Sequence, residues 1–386
     1  MATPTPIIAP PAPARPSGLP RPDTSMRSLV QSPLIHHIVL FFCDRKPPPR
    51  SGVFDCLGPT GGEGCSQPYL IWTPGQMQSL LPPTVGLPMG EPDSTYYSLQ
   101  ARAYVHYNNP DALEGVVDAS GLEVLYTPQL RQYDAGVLTL GQRAITIPPG
   151  RPIVTLKPNV CPSSCTSRLR TPLRLLSAMV HMHTLGRAIH TQHIRNGTEL
   201  APVASRRFYN FDFQSQEAVP LASSLLLPGD SLITTCSYDS TSRTNVTTYG
   251  ESTQSEMCFT FVLYYPRDTH FTACSSMDMA GDPSVALCGG AAEAEAVDSA
   301  LRQLQQQQQQ SGPKAGAVAA PPSATLNMTA LPVLAPLFRS GALVRVPPND
   351  TVYAKPYGRQ CPDMSYGLPL QEQREMALRA MSDDGP

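Results

Sequence analysis

His181-Met182-His183 and, some way downstream, Glu256-Met257-Cys258 are the residues of this chain best suited to metal chemistry. Two histidines spaced i, i+2 project from the same face of a β-strand, so both imidazoles can reach one metal. A methionine thioether is a soft ligand that tolerates monovalent copper. The pair alone is equally consistent with an ordinary strand whose two histidines are satisfied by hydrogen bonds. Its weight comes from its neighbours.

Three more histidines lie nearer the start. His36-His37 opens an apolar run, and His106 sits in Tyr104-Val105-His106-Tyr107-Asn108-Asn109-Pro110. Adjacent residues of a regular strand point to opposite faces, so His36 and His37 can share a metal only where the strand is bulged or ending. In a regular strand, one would face the core and the other the surface.

The elements that must position these residues are strands. The chain has 386 residues, with 43 prolines and 27 glycines, and its apolar residues fall in short runs of four to eight. That pattern predicts an all-β fold with room for two domains. LIHHIVLFF, YYSLQARAYVHY, GLEVLYT and AGVLTLG are the strand-like runs of a first domain, residues 33–141. ITIPPG, RLLSAMVHMHTLG, SLLLPGDSLITTCSY and MCFTFVLYYP belong to a second, residues 142–285. PPGR at 148–151 and LPGD at 227–230 are turn signals. Residues 1–32 form a Pro-rich leader too poor in apolar surface to fold. Residues 286–386 read as a low-complexity linker and tail, with helical propensity in EAEAVDSALRQLQQQ. The apolar segments LPVLAPLF and ALVRVPP in that tail are expected to dock on the second domain through Cys361.

A net charge of −2, with 15% charged residues, offers no electrostatic footprint for nucleic acid. No stretch approaches the roughly 20 apolar residues of a membrane span. Ten cysteines, none in a CxxC pair, favour a disulfide framework over zinc. The sequons at Asn196, Asn245, Asn327 and Asn349 predict glycosylation and agree with the secretory pathway or an extracellular location. The first 30 residues contain no apolar signal segment. The natural chain is therefore expected to begin upstream.

HHIVLFFC, YVHYNNP, VHMHTLGR, PGDSLITTCSY and GESTQSEMCFTFVLYYP occur in the order and spacing of the copper type II, ascorbate-dependent monooxygenases. The resemblance covers about residues 33–276, and the wording is most similar to the dopamine β-hydroxylase and DBH-like branch. It implies two antiparallel β-sandwich, jelly-roll-like domains. The first lacks the strands, cysteine and tyrosine that precede HH in the family, so it is expected to be incomplete. The resemblance also implies two copper ions, ascorbate as reductant, O2 as co-substrate and a small-molecule substrate.

Residue by residue, the resemblance makes His36, His37 and His106 ligands of an electron-transfer copper. His181, His183 and Met257 become ligands of an oxygen-activating copper, with His181 and Met257 at the catalytic centre. Three nitrogens at one site, and two nitrogens and a sulfur at the other, leave coordination positions open. His190, His193 and His270 match no motif and are expected at the surface. The resemblance further implies disulfides Cys236–Cys258, Cys43–Cys65 and Cys161–Cys274, with Cys165–Cys361 a fourth pairing and no partners for Cys56 and Cys288. Cys236–Cys258 passes a geometric check: if Met257 faces the metal, Cys258 must face the other way.

The same alternation sets Met179 beside His181 and His183, and Phe261 beside Met257 and Phe259. Peptide-amidating members of the family carry an arginine and a tyrosine at these places to hold a carboxylate. Met179 and Phe261 offer it no charged partner, which points to a small, aromatic amine hydroxylated at an activated C–H bond. Plain core packing of both residues is the competing expectation. A non-catalytic copper-binding protein of the same fold and a peptidylglycine α-hydroxylating monooxygenase are the alternative functions.

Overall fold

The computed structural model describes residues 24–42, 67–73, 78–87, 101–107, 109, 111–125, 127, 129–250, 252–276, 285–310, 332–347 and 350. They form an all-β fold. The strands that matter for the site are β1 (Ile35–Phe42), β2 (Gln67–Trp72), β3 (Ala101–Tyr107), β4 (Gly136–Gln142), β5 (Leu173–His181), β6 (Gly186–Arg195), β7 (Ser231–Tyr238), β8 (Cys258–Tyr265), β9 (Ala273–Ser276), β10 (Val285–Gly289) and β11 (Leu343–Arg345). Helix α1 runs over Ala291–Gln310.

An eight-stranded sheet carries β5, β8, β4, β9, β10 and β11 in that lateral order. All these neighbours are antiparallel except β4 and β9, which run parallel. A six-stranded sheet is built around β6 and β7. Side chains of both sheets meet in two apolar clusters, one holding Leu138, Leu175, Ile233 and Val262, the other Val180, Ile189, Cys236 and Cys258. In the first region, β1 is flanked by β2 and β3. Ile35, Ile38, Leu40 and Trp72 pack with Ala135, Val137 and Leu263 on the other face of the large sheet.

The large sheet is therefore covered on both faces. That explains why β8, CFTFVLYY, is an almost continuous apolar run of β-branched and aromatic residues rather than an alternating one. Gly141 lies at φ +139°, and a Cβ there would come within 2.0 Å of the Cys258 carbonyl oxygen, so β4 can cross β8 this closely only with glycine.

The boundary expected at residue 141 falls inside β4, and the structure gives the whole of that strand to the large sheet. The tail expected from residue 286 likewise supplies β10, α1 and β11, and the leader expected to stay unfolded over residues 1–32 supplies a strand at Thr24–Ser28, because Gln78–Leu80 and Leu122–Val124 pair with its two edges. ALVRVPP docks through the β10–β11 pairing. Cys361 lies outside the described residues, as do Cys43, Cys65 and Cys56. Cys165 is bonded to Cys288 rather than to Cys361, because Cys288 on β10 is the cross-strand neighbour of Cys274 and so lies beside the Cys161–Cys274 bond. Cys236–Cys258 is a third disulfide among the described residues. The sulfurs of Cys161, Cys165 and Cys274 lie within 4.8 Å of one another, but each is oxidised and offers no thiolate to a metal. Among the described residues, no helix is long and apolar enough to cross a membrane.

Candidate metal centre

His181 is the last residue of β5 and pairs with Phe259 of β8, as Met179 pairs with Phe261. Continuing that register past the strand end sets His183 opposite Met257. Cys258 turns the other way, into the cluster between the sheets, where it is bonded to Cys236. His181, His183 and Met257 are all buried.

The turn that follows β5 is held by side chains rather than by strand pairing. Buried Glu256 accepts the backbone N–H groups of Leu185 at 2.7 Å, His183 at 2.9 Å and Met257 at 3.3 Å. One carboxylate thus clamps the histidine turn to the methionine segment. Burial pushes its pKa up to about 7, against the lowering effect of those three N–H bonds. Tyr209 holds the same turn from the other side, accepting from Met182 N and donating to Met182 O. Tyr238 donates to the Met257 carbonyl at 2.8 Å. Gly186 closes the turn, since a Cβ there would stand 2.8 Å from Met182 Cβ and 3.0 Å from the Tyr209 ring.

The hydrogen bonds fix the histidine tautomers. His181 Nδ1 lies 2.6 Å from Gln214 Oε1, and His183 Nδ1 lies 3.0 Å from the Ser255 carbonyl. Carbonyl oxygens only accept, so both Nδ1 atoms carry the proton and both Nε2 atoms carry the lone pair. The amide of Gln214 is oriented by its other end, where Nε2 donates to the Phe211 carbonyl at 2.7 Å. An imidazole pinned through one nitrogen so that the other can donate is the arrangement a metal ligand requires. The donor set of two imidazole nitrogens and a thioether suits copper, and the nearby carboxylate of Glu256 is already engaged by backbone N–H groups.

In the first region, the pairing of β1 with β3 shifts register between Ile35 and His37, so His36 occupies a bulge. This is the condition under which adjacent histidines can converge. Their Nδ1 atoms are 2.9 Å apart. His36 Nε2 donates to the Phe211 carbonyl at 3.1 Å, so its Nδ1 is the acceptor in the hydrogen bond with His37 Nδ1–H. Burial lowers the His36 pKa and favours the neutral ring. His106 is the cross-strand partner of His37.

The two pairs are neighbours. The rings of His37 and His181 lie 5.7 Å apart and those of His181 and His183 5.2 Å apart, while the Phe211 ring stacks on His36 at 3.8 Å. The structure thus brings His36, His37, His181 and His183 into one buried group.

Of the other sequence expectations, Met179 is buried beside this group, whereas Phe261 packs against the cluster of Ile35, Ile38 and Trp72. A cavity of about 190 Å3 lies elsewhere, lined by Ala178, Val180, Val203 and Arg206, with Ala178 and Val180 on the opposite strand face from Met179 and His181. His193 is not at the surface. It is fully buried, with Nε2 2.8 Å from Asp230, a carboxylate that gives one of its ring nitrogens a partner inside the fold. His270 is exposed and His190 half-buried. Asn196 and Asn245 are exposed, and Asn327 and Asn349 lie outside the described residues.

Sequence reasoning assigned no role to Glu256, Tyr209, Phe211 or Gln214. Glu256 could have been found, since an acidic residue leading directly into MCFTFV must be satisfied by something.

Two sequence profiles match the chain. The N-terminal domain of the copper type II ascorbate-dependent monooxygenases matches residues 24–114, and their C-terminal domain matches residues 133–282. MOXD1 homolog 1 of Drosophila melanogaster is 37% identical over 266 residues, covering 63% of this chain and 37% of the relative. DBH-like monooxygenase protein 1 of Gallus gallus is 34% identical over 272 residues, covering 66% and 43%. Human dopamine beta-hydroxylase is 32% identical over 257 residues, covering 64% and 41%. The chain therefore spans about two fifths of the length of these relatives.

Proposed function

Because the chain belongs to the copper type II ascorbate-dependent monooxygenase family, we propose that it hydroxylates an activated C–H bond of a small, aromatic amine, using O2 and ascorbate. His36, His37 and His106 would hold the electron-transfer copper, and His181, His183 and Met257 the oxygen-activating copper. When bound, copper supplies one-electron redox chemistry and the activation of O2. The net reaction consumes two electrons from ascorbate and two protons per O2, and yields the alcohol and water.

The protein's own residues hold and orient. The observation that supports this reading most is that both acceptors, Gln214 Oε1 and the Ser255 carbonyl, engage the Nδ1–H of His181 and His183, so that Nε2 is the atom each ring would offer to a metal. Glu256 keeps the turn and the methionine segment together. Burial of all four histidines excludes bulk water from their surroundings. Met179 supplies an apolar wall beside His181, with no charge to bind a carboxylate. The three disulfides among the described residues fit an oxidising compartment, and the secretory pathway is the proposed location.

A second reading, copper binding without turnover, is favoured by the packing of partly buried Phe261 against the cluster of Ile35, Ile38 and Trp72, where the substrate was expected. The two are separated by mixing purified protein, copper, ascorbate and a phenethylamine under O2. Hydroxylated product in step with O2 uptake is expected from a monooxygenase. Full copper loading with neither product nor ascorbate-dependent O2 uptake would refute turnover and favour the second reading.

A further inference from the structure

Phe211 and Gln214 lie on the segment between β6 and β7, and they stand between the two histidine pairs. The Phe211 carbonyl accepts from His36 Nε2 at 3.1 Å and from Gln214 Nε2 at 2.7 Å. Gln214 Oε1 accepts from His181 Nδ1 at 2.6 Å. Three hydrogen bonds thus connect a first-region imidazole to a second-region imidazole without a break. Thr73, at the end of β2, ties the same segment down by donating to the Gln214 carbonyl at 2.6 Å.

Gln214 is buried, so an unmet donor or acceptor there is costly. Its two ends face demands of opposite sign: His181 presents an N–H, and Phe211 presents a carbonyl. Glutamate could satisfy the first but not the second, and an aliphatic side chain neither. A side-chain amide also transmits polarisation. Stronger donation from His181 to Oε1 makes Nε2–H a better donor, and that N–H shares the Phe211 carbonyl with His36.

We propose that Gln214 is a positioning residue that couples the two copper-binding histidine pairs through the Phe211 carbonyl. This deepens the copper reading above and rests on it. A change in metal occupancy or oxidation state at His181 is transmitted to His36 through this bridge.

The test uses the whole chain, wild type beside Gln214→Ala and Gln214→Glu, titrated with Cu(II) and followed by EPR. Gln214→Ala is expected to weaken copper binding at the His181 site by roughly 10–100-fold. It should also shift the signal of copper at the His36 site, although no ligand there has changed. Gln214→Glu keeps the acceptor for His181, so its affinity at that site stays within about threefold of wild type, while the His36-site signal shifts as in the alanine variant. In metal-free protein, long-range 1H–15N spectra should show the Nδ1–H tautomer of His181 in wild type and Gln214→Glu but not in Gln214→Ala. Copper bound to Gln214→Ala with wild-type affinity and both signals unchanged would overturn the bridge alone. A wild-type protein that takes up no copper would overturn the copper reading, and this inference with it.

Discussion

His37 and His181 meet edge to face, their ring centroids 5.7 Å apart and their planes at 86°, although one comes from β1 and the other from β5. Each histidine pair is part of the other's immediate environment. Two divalent ions held there would repel one another in a site with little water to screen them. Copper(II) binding is therefore expected to be negatively cooperative, the second ion binding severalfold more weakly than the first. Calorimetric titration should give two steps for wild type and one for His37→Ala. Two equal, independent sites would count against this contact.

Glu256 accepts three backbone donors at once. Glu256→Ala would leave the N–H groups of His183, Leu185 and Met257 buried and without their acceptor. Each such loss costs about 1–3 kcal/mol. The metal-free variant is expected to lose about 3 kcal/mol or more in urea denaturation, and a loss under about 1 kcal/mol would mean that the turn holds itself.

Much of this centre was legible in the sequence, for a physical reason. The strict period of two along a strand sets His181 and His183 on one face and fixes Cys258 opposite Met257, which is compatible with the Cys236–Cys258 bond that the resemblance implied. The same geometry specified the bulge that His36 and His37 would need, and β1 has it. What stayed hidden lacks periodicity. Phe211 and Gln214 sit in an irregular segment, FYNFDFQSQ, whose partners are distant in the chain. His193 looked like a surface residue because its partner, Asp230, lies 37 residues further along the chain, at the turn before β7. The boundary at 141 misplaced β4 because an apolar strand does not announce which sheet it will join.

Asp230 gives the fold an acid limit. Burial alone would raise its pKa, but hydrogen bonds from His193, Arg195 and the Leu227 N–H outweigh that and hold it down at about 2, against an ordinary 3.8. A carboxylate held below its unfolded value stabilises the fold above that value, and the contribution is lost as pH falls toward 2. Between about pH 4 and pH 2, wild type should lose about 2 kcal/mol more than Asp230→Asn, read from urea midpoints at the two pH values. Parallel losses in the two proteins would remove Asp230 from the account.

The Cys236–Cys258 bond closes a loop of sequence separation 22 between β7 and β8. Loop-closure entropy puts its contribution at about 3 kcal/mol. The double variant Cys236→Ala/Cys258→Ala should lose that much stability. It should also bind copper less tightly at the His181 site, because Cys258 anchors the strand end that presents Met257. Unchanged copper affinity at reduced stability would separate the two roles.

β4 lies in the middle of the large sheet, between β8 and β9, and pairs in parallel with β9. Both neighbours come from far downstream, so the interior of this sheet cannot be completed until the chain through Ser276 is available. Contacts of such long sequence separation make folding slow and leave a half-built sheet with open edges meanwhile. His181 lies on β5, on the other side of β8, so its strand joins β4 only once β8 has been laid down. The metal centre is therefore a late product of folding. During synthesis, the apolar strands made before it, β1 and β4 among them, must be kept from pairing with other chains.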